Sequence, residues 1–579
     1  MSDVNLTING IPVRVPAGST LLQAAEALSI RIPTLCYDRH LTVSGACRMC
    51  VVEVSGPGGA TRLEPACSYP VQEGMVVRTN TCELRDVRRT IIELILANHP
   101  RACQTCIRNQ RCSLQLACRE YSIDKIRYEG ETRHNNPDTS SVAITRHPDY
   151  CILCGKCVKV CKEVQGVYAL DFVRRGFSTT VLPSFDRDLA DTVCVLCGQC
   201  LLKCPVAAIR DKSYLDKVEA ALEDPERIVT VQIAPSIRVT IGEVFGLPPG
   251  VSLTRKLPTA LRRLGFKYVF DTDFGADMAV MEEGHELVGR LRAGGPFPLI
   301  TSCSPGWVKF MEHFYPEFIP NMSSVKSPQQ ILGALTKTFF ADRNKIDRKR
   351  LFNVSIMPCS AKKFEIQRPE HRLPDGTPEM DAVLTTREFG DLLNLHEIDV
   401  PSLPESAFDP ILGEATGAGL MFGVTGGMME AALRTVAAVL DPKTQARLEY
   451  SALRGTGGIK RGSVIVADRE IKLVAVSGLS NARKILDSIK AGEEVHFLEV
   501  MACPGGCIGG GGQPLPTDEE TRRRRIEAMY AEDRGLPLRQ SHKNPAVQTV
   551  YAEFLGEPCG EKAHHLLHTT YTPRSPRGF

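Results

Sequence analysis

Apolar and polar residues alternate from the start of the chain: Val4, Leu6 and Ile8 share one face, Asn9-Gly10 supplies a tight turn, and Val13 and Val15 resume the period. This predicts a hairpin. Thr20 and Gln23 then have capping-box spacing ahead of the apolar run Leu21 to Leu28, so a short helix should follow. Hairpin, helix and a cysteine-rich loop suggest a small β-grasp module over residues 1–80. Helical periodicity from Leu84 to Asn98 opens a second, small helical unit, 81–140, and residues 141–215 hold two copies of one cysteine motif.

From about Arg227 the pattern changes. Strand-like runs at Ile228–Ile233, Pro298–Thr301, Val354–Met357 and Leu473–Val476 alternate with longer helical segments, which predicts an α/β domain over 216–517 in a multidomain chain. Open α/β sheets place ligands at the carboxyl ends of their strands, and most cysteines of this region fall there or in a glycine-rich turn. Residues 518–579 read as helices joined by irregular segments.

Composition narrows the class. With 43% hydrophobic and 24% charged residues the chain is ordinary globular material, and a net charge of +3 leaves no nucleic-acid footprint. Its densest basic run, Arg522–Arg525, reads as a solvated helix face. No stretch approaches the roughly 18–20 apolar residues of a membrane span, and no secretory leader is evident, so a cytoplasmic protein is expected. Twenty-two cysteines in that setting point to metal rather than disulfides.

The strongest motif is the pair Cys151-x2-Cys154-x2-Cys157-x3-Cys161 and Cys194-x2-Cys197-x2-Cys200-x3-Cys204-Pro205. In this signature the fourth cysteine of each run ligates the other cluster. One [4Fe–4S] cluster is therefore assigned Cys151, Cys154, Cys157 and Cys204, and the other Cys161, Cys194, Cys197 and Cys200. Zinc motifs pair two-cysteine knuckles and do not use this run twice. Cys36-x10-Cys47-x2-Cys50-x16-Cys67 is a looser pattern, close in logic to a plant-type [2Fe–2S] loop. His99-x3-Cys103-x2-Cys106-x5-Cys112 would suit structural zinc in isolation, but its place between two iron–sulfur modules favours a third [4Fe–4S] cluster with one histidine ligand.

Three distant segments remain: Thr301-Ser-Cys303-Ser-Pro-Gly-Trp307, Met357-Pro-Cys359-Ser-Ala-Lys362-Lys-Phe-Glu365, and Glu499-Val-Met-Ala-Cys503-Pro-Gly-Gly-Cys507 with the glycine run to Gly512-Gln513-Pro514. Their cysteines can meet only in a folded domain. The glycines remove side chains where backbone must approach a bulky ligand. Here the sequence resembles the [FeFe]-hydrogenase family, in these segments and in domain order across nearly the full chain, and its N-terminal modules resemble the large iron–sulfur subunit of respiratory complex I.

The resemblance implies a two-lobed H-cluster domain behind the β-grasp module, the module with one histidine and three cysteines, and the bacterial-ferredoxin-like module, and it implies reversible conversion of dihydrogen to protons and electrons. The H-cluster is a [4Fe–4S] cubane joined through one cysteine to a di-iron unit carrying CO, cyanide and azadithiolate. Cys507 corresponds to the bridging ligand, and Cys359 and Cys503 to cubane ligands. The family commonly has two adjacent cysteines where this chain has Cys303-Ser304. Thiolate is the better ligand, so Cys303 is assigned to the cubane and Ser304 to the proton relay; counting positions through the motif gives the reverse. Lys362 and Ser236 would hold cyanides, and Met357, Met501 and Gln329 would line the pocket. Protons would leave through Glu283, Ser323 and Glu286, with Arg290 near the exit; without the resemblance, Glu283 and Glu286 read as surface carboxylates three apart on a helix.

Cys82, Cys118 and Cys559 are left as structural thiols, and Gly423–Gly427 as a turn near the H-cluster. The accessory clusters and the complex I-like N-terminus fit a subunit of a multimeric, NAD(P)-linked and electron-bifurcating hydrogenase with flavin- and nucleotide-binding and [2Fe–2S] companion subunits and ferredoxin. A stand-alone ferredoxin-linked hydrogenase has similar modules. A pure electron-transfer scaffold would not need the three C-terminal segments, and an assembly or sensing protein would not need Lys362, Glu365 and Glu499.

Overall fold

The N-terminal alternation closes into a five-stranded sheet, in the order 11–16, 3–8, 76–78, 51–55 and 61–65. Asp3–Ile8 and Ile11–Pro16 pair antiparallel around Asn9-Gly10, both at positive φ. Thr20 caps the helix Leu21–Ala27 as expected: its hydroxyl accepts from Gln23 N at 3.3 Å, and Gln23 Oε1 accepts from Thr20 N at 2.8 Å. The helix buries Leu21, Leu22, Ala24 and Ala25 in a core shared with Leu6, Ile8, Val52 and Val77. This computed structural model describes residues 3–56, 59–440, 448–466 and 469–575.

Thr81 caps the helix Cys82–Ala97, which sends Arg88 inward to donate to the Val51 carbonyl at 2.6 Å and the Thr79 carbonyl at 3.0 Å. Those two bonds fasten the second unit to the β-grasp sheet. In the next unit Ile144–Arg146 pairs antiparallel with Ile209–Asp211, and two short helices, Lys156–Lys159 and Gln199–Lys203, repeat one another. Each follows a left-handed glycine at φ 71°, Gly155 and Gly198, a conformation that costs glycine nothing.

The larger domain is built on two four-stranded sheets. One is wholly parallel, ordered 268–271, 228–233, 351–357, 382–385. The other, ordered 299–300, 497–501, 469–477, 459–466, is parallel except for its last hairpin. Leu351–Met357 is buried at every position, as in a strand covered on both faces, and its two polar residues are paired inside, Asn353 Oδ1 accepting from Thr230 at 2.7 Å and Ser355 donating to Gln329 at 2.7 Å. The run expected at Pro298–Thr301 yields only Leu299–Ile300, preceded by a proline with no N–H to give the ladder. Between the sheets the helix Thr272–Ala293 crosses Pro328–Leu335 closely: a Cβ on Gly275 would lie 2.4 Å from the Pro328 carbonyl oxygen.

The C-terminal segment is tied back into this domain. Helix Glu519–Gly535 is anchored by Asp533, which accepts from Arg434 through both carboxylate oxygens at 3.0 Å. The Arg522–Arg525 run is only partly a solvated face. Arg523 and Arg524 pair with Glu520 in solvent, but Arg525 is fully buried on Glu243 at 2.6 and 2.7 Å, because a partner from residues 241–245 waits under that side of the helix. Further on, Lys326 N donates to the Leu567 carbonyl at 2.8 Å and Thr569 N to that of Ser324 at 2.7 Å. No helix among the described residues is long and apolar enough to cross a membrane.

Candidate metal centres

None of the cysteines, all of which lie among the described residues, forms a disulfide. Two enclosed apolar cavities sit in the repeated module. Cys151, Cys154, Cys157 and Cys204 line one, and Cys161, Cys194, Cys197 and Cys200 line the other, the same two groupings as the spacing gives. Burial pushes the Cys154 and Cys161 thiols up to about 12, so anionic sulfur there needs cations beside it. Iron supplies that charge, and four sulfurs around an apolar void fit a cubane.

In the β-grasp loop, Cys47 N donates to Cys36 Sγ at 3.5 Å, and the thiols pair as Cys36 with Cys47 and Cys50 with Cys67. Cys67, far along the sequence, is brought to the same place. A further cavity gathers His99, Cys103, Cys106 and Cys112. His99 Nδ1 lies 2.9 Å from the Pro100 carbonyl, which orients the ring, while Nε2 is buried without a hydrogen-bond partner, as a nitrogen kept for a metal would be. Cys118 lines this cavity too.

The composite site lies where three parallel strands end. Cys303 follows Leu299–Ile300, Cys359 follows Leu351–Met357, and Cys503 and Cys507 follow Phe497–Met501. Cys359, Cys503 and Cys507 converge: the charge of Cys359 acts on both others, and that of Cys507 on Cys503. The glycine run serves this packing differently from expectation. Cβ atoms on Gly510 and Gly511 would meet the carbonyl oxygens of Pro358 and Cys197 at 2.2 and 2.3 Å, so the glycines let protein loops close on one another. One consequence is proximity: the Cys194–Cys200 cavity abuts the composite site, with Gln199 Nε2 donating to the Gly509 carbonyl at 2.9 Å.

Cys303 behaves unlike the other three. After burial, the charge acting most strongly on its thiol is Glu283, and both push it well above the ordinary range. Its neighbour Ser304 instead accepts from Ala502 N at 3.3 Å, beside Cys503. Ser304 thus lies beside the Cys503 turn, and Cys303 lies within electrostatic reach of both Glu283 and Cys507.

Lys362 Nζ donates to Ser327 Oγ at 2.7 Å, to Glu365 at 2.8 and 3.1 Å, and to the Cys303 carbonyl at 3.4 Å. The Gln329 amide donates to Glu365 at 2.9 Å and accepts from Ser355 at 2.7 Å, so it holds the carboxylate that holds Lys362. Gln513 donates to Ser236 Oγ at 3.1 Å and to the Cys507 carbonyl at 3.0 Å, bringing Ser236 to the cysteine turn. Met357 and Met501 are buried at the strand ends.

Glu283 is 2% exposed, not a surface carboxylate; Oε2 has no partner, and burial followed by the charge of Glu286 pushes it well above the carboxylate range. Ser323 donates to Glu286 Oε2 at 2.8 Å, and Arg290 holds Glu286 Oε1 at 2.8 Å nearer the surface. Among residues that sequence reasoning missed, Glu282 joins His568 Nε2 at 3.0 Å and Cys559 N at 2.7 Å, and Tyr571 donates to the Ser323 carbonyl at 2.9 Å. These partners are some 250 to 290 residues apart, and no local pattern announces them.

Four cysteine-lined sites leading to a buried composite one define an iron–sulfur oxidoreductase with its own electron relay. The chain belongs to the iron-only hydrogenase large-subunit family and is an [FeFe]-hydrogenase catalytic subunit. Residues 227–511 match the iron only hydrogenase large subunit, C-terminal domain, and 519–574 the iron hydrogenase small subunit. Residues 2–82 match a 2Fe-2S iron-sulfur cluster binding domain, and 88–127 the NADH-ubiquinone oxidoreductase-G iron-sulfur binding region. The chain is 46% identical to the NADP-reducing hydrogenase subunit HndD of Solidesulfovibrio fructosivorans, over 99% of this chain and 100% of that one. Iron hydrogenase 1 of Clostridium pasteurianum is 39% identical over 98% and 99%. A solved variant of the [FeFe]-hydrogenase HydA1 from Chlamydomonas reinhardtii superposes with TM-score 0.58 at 39% identity, covering 63% of this chain and all of that one.

Proposed function

We propose that this chain converts dihydrogen to protons and electrons at an H-cluster held by Cys359, Cys503 and Cys507, with Ser304 at the fourth cubane position and Cys303 as the first proton carrier. The observation that carries this reading is the opposed placement of two adjacent side chains: Ser304 on Ala502 N, and Cys303 under the charge of Glu283. When bound, the di-iron unit with its CO, cyanide and azadithiolate supplies heterolytic cleavage of dihydrogen, chemistry that no side chain performs. The residues supply position and proton transfer. Lys362 and Ser236 would donate hydrogen bonds to anionic ligands of the cluster, Met357 and Met501 would exclude water, and Gln329 with Glu365 fixes Lys362.

A proton released at the site passes from Cys303 to Glu283, then by way of Ser323 to Glu286, with Arg290 steadying Glu286 at the exit. The two crossed cysteine groups of the repeated module and the His99 group would hold three accessory [4Fe–4S] clusters, and Cys36, Cys47, Cys50 and Cys67 one [2Fe–2S] centre, which together would carry electrons away from the composite site. Flavin- and NAD(P)-binding and [2Fe–2S] companion subunits and ferredoxin would receive the electrons, and the relative named as a subunit of an NADP-reducing hydrogenase supports the NADP-linked part of this reading. Infrared spectroscopy of the matured protein tests the central claim: carbonyl and cyanide bands together with hydrogen uptake are expected, and a fully iron-loaded protein showing neither would overturn it. Subunit counting of the native complex tests the partners.

A further inference from the structure

Glu282, Cys559 and His568 meet where the C-terminal segment lies against helix Thr272–Ala293, and neither the cysteine motifs nor the proton route uses them. One ligand atom from each, a Glu282 carboxylate oxygen, Cys559 Sγ and His568 Nε2, lies within 4.8 Å of the other two. Oxygen, nitrogen and sulfur bonded to one tetrahedral zinc at about 2.0–2.3 Å stand roughly 3.3–3.8 Å apart, so small movements bring the three to a common centre. The atoms behind them are already held. Tyr551 donates its hydroxyl to Glu282 Oε1, while Oε2 faces His568 Nε2 at 3.0 Å. On the other side of the ring, His568 Nδ1 lies 2.8 Å from Ser324 Oγ, the kind of outer contact that fixes which nitrogen meets a metal. Cys559 Sγ turns inward to the Glu282 carbonyl oxygen, 3.4 Å away, although the residue itself is exposed, so solvent reaches the open side of the group. Glu282 is fully buried, and among the described residues its only ion-pair partner is a histidine. Elsewhere in the domain buried Glu312 faces Arg368 at 2.7 Å and buried Glu388 faces Lys363 at 2.7 Å, whereas Glu282 has no permanent cation beside it.

We propose that Glu282, Cys559 and His568 bind one zinc(II) ion, with water as the fourth ligand, and that the ion ties residues 551–568 to helix Thr272–Ala293. A mixed set of one sulfur, one nitrogen and one oxygen suits zinc, whereas magnesium and calcium take oxygen. The binding step balances without any other reactant. The Cys559 thiol gives its proton to solvent, the neutral imidazole of His568 carries its proton on Nδ1, where Ser324 Oγ accepts it, and Nε2 is free for the metal. No electron is transferred. The site shares no ligand with the iron–sulfur positions and does not depend on the hydrogenase reading.

The test is metal analysis of the matured, fully iron-loaded chain after exposure to zinc ions alone and removal of unbound metal. About one zinc per chain should be retained with the iron content unchanged, and its X-ray absorption should show one sulfur at about 2.3 Å and nitrogen or oxygen at about 2.0–2.2 Å. Cys559→Ser, a change at an exposed position, should keep its iron, lose the sulfur shell, and bind zinc more weakly by more than the roughly 10–100-fold that loss of a supporting partner alone costs. His568→Gln should weaken binding by a similar factor. No retained zinc in the wild type, or undiminished binding in Cys559→Ser, overturns the proposal. A shell of three or four sulfurs would put the zinc among the cluster cysteines and overturn it as well.

Discussion

The ammonium of Lys362 stands 2.8 Å from Glu365 Oε2, and both side chains are buried. A buried cation of this kind is tolerable only while its carboxylate is present. Glu365→Gln keeps an amide oxygen for Lys362 but removes its counter-charge, at an expected cost of about 3–5 kcal/mol. Denaturant unfolding of the variant checks this. A loss below about 1 kcal/mol would show that neutral oxygen acceptors suffice.

Glu283 has one buried carboxylate oxygen without a partner, and burial followed by the charge of Glu286 shifts it towards the protonated form. It can pass a proton on only by giving one up and taking another, which an amide cannot do. Glu283→Gln should keep the infrared bands of the assembled site and lower turnover by about 10²–10⁴-fold, the usual weight of a positioned proton carrier. Unchanged turnover would remove it from the route.

Cys303 and Ser304 can be separated by complementary changes. Cys303→Ser should depress turnover as strongly as Glu283→Gln and leave the EPR of the cubane unchanged. Ser304→Cys should alter that EPR signal, because a sulfur ligand would replace oxygen on one iron. If the two spectroscopic results came out exchanged, Cys303 would be the cubane ligand and Ser304 the relay.

The legible part of this molecule was local. Alternation at Val4–Val15 and the paired cysteine runs are short-range patterns, and a hairpin and two crossed cysteine groups appear where they point. What was not legible depends on partners far along the chain. Arg525 looks like one member of a solvated basic run until Glu243, 282 residues earlier, comes beneath it. That Gln329 braces Glu365 is likewise invisible until Ser355 and Glu365 meet the two ends of its amide.

Glu499 joins the composite site to the stability of the whole domain. It sits in the strand Phe497–Met501, fully buried, and accepts from Gly426 N at 2.6 Å and Met429 N at 2.8 Å, holding the start of helix Gly427–Leu440. Burial pushes it up to about 7 from 4.5, while the two backbone donors pull it down. Below pH 4.5 it is protonated whether the chain is folded or not. Between about 4.5 and 7 the unfolded chain releases this proton and the folded one keeps it, so raising the pH favours unfolding. Above about 7 the dependence levels off. One pKa unit corresponds to about 1.4 kcal/mol, so this group removes about 3 kcal/mol of stability across the window. Glu499→Gln cannot titrate. The difference in unfolding free energy between wild type and variant should therefore change by that amount from pH 4.5 to pH 7.5, with the wild type losing ground as pH rises. Parallel curves would mean that the backbone N–H groups keep Glu499 ionised throughout, and that its charge is part of the permanent field at Cys507.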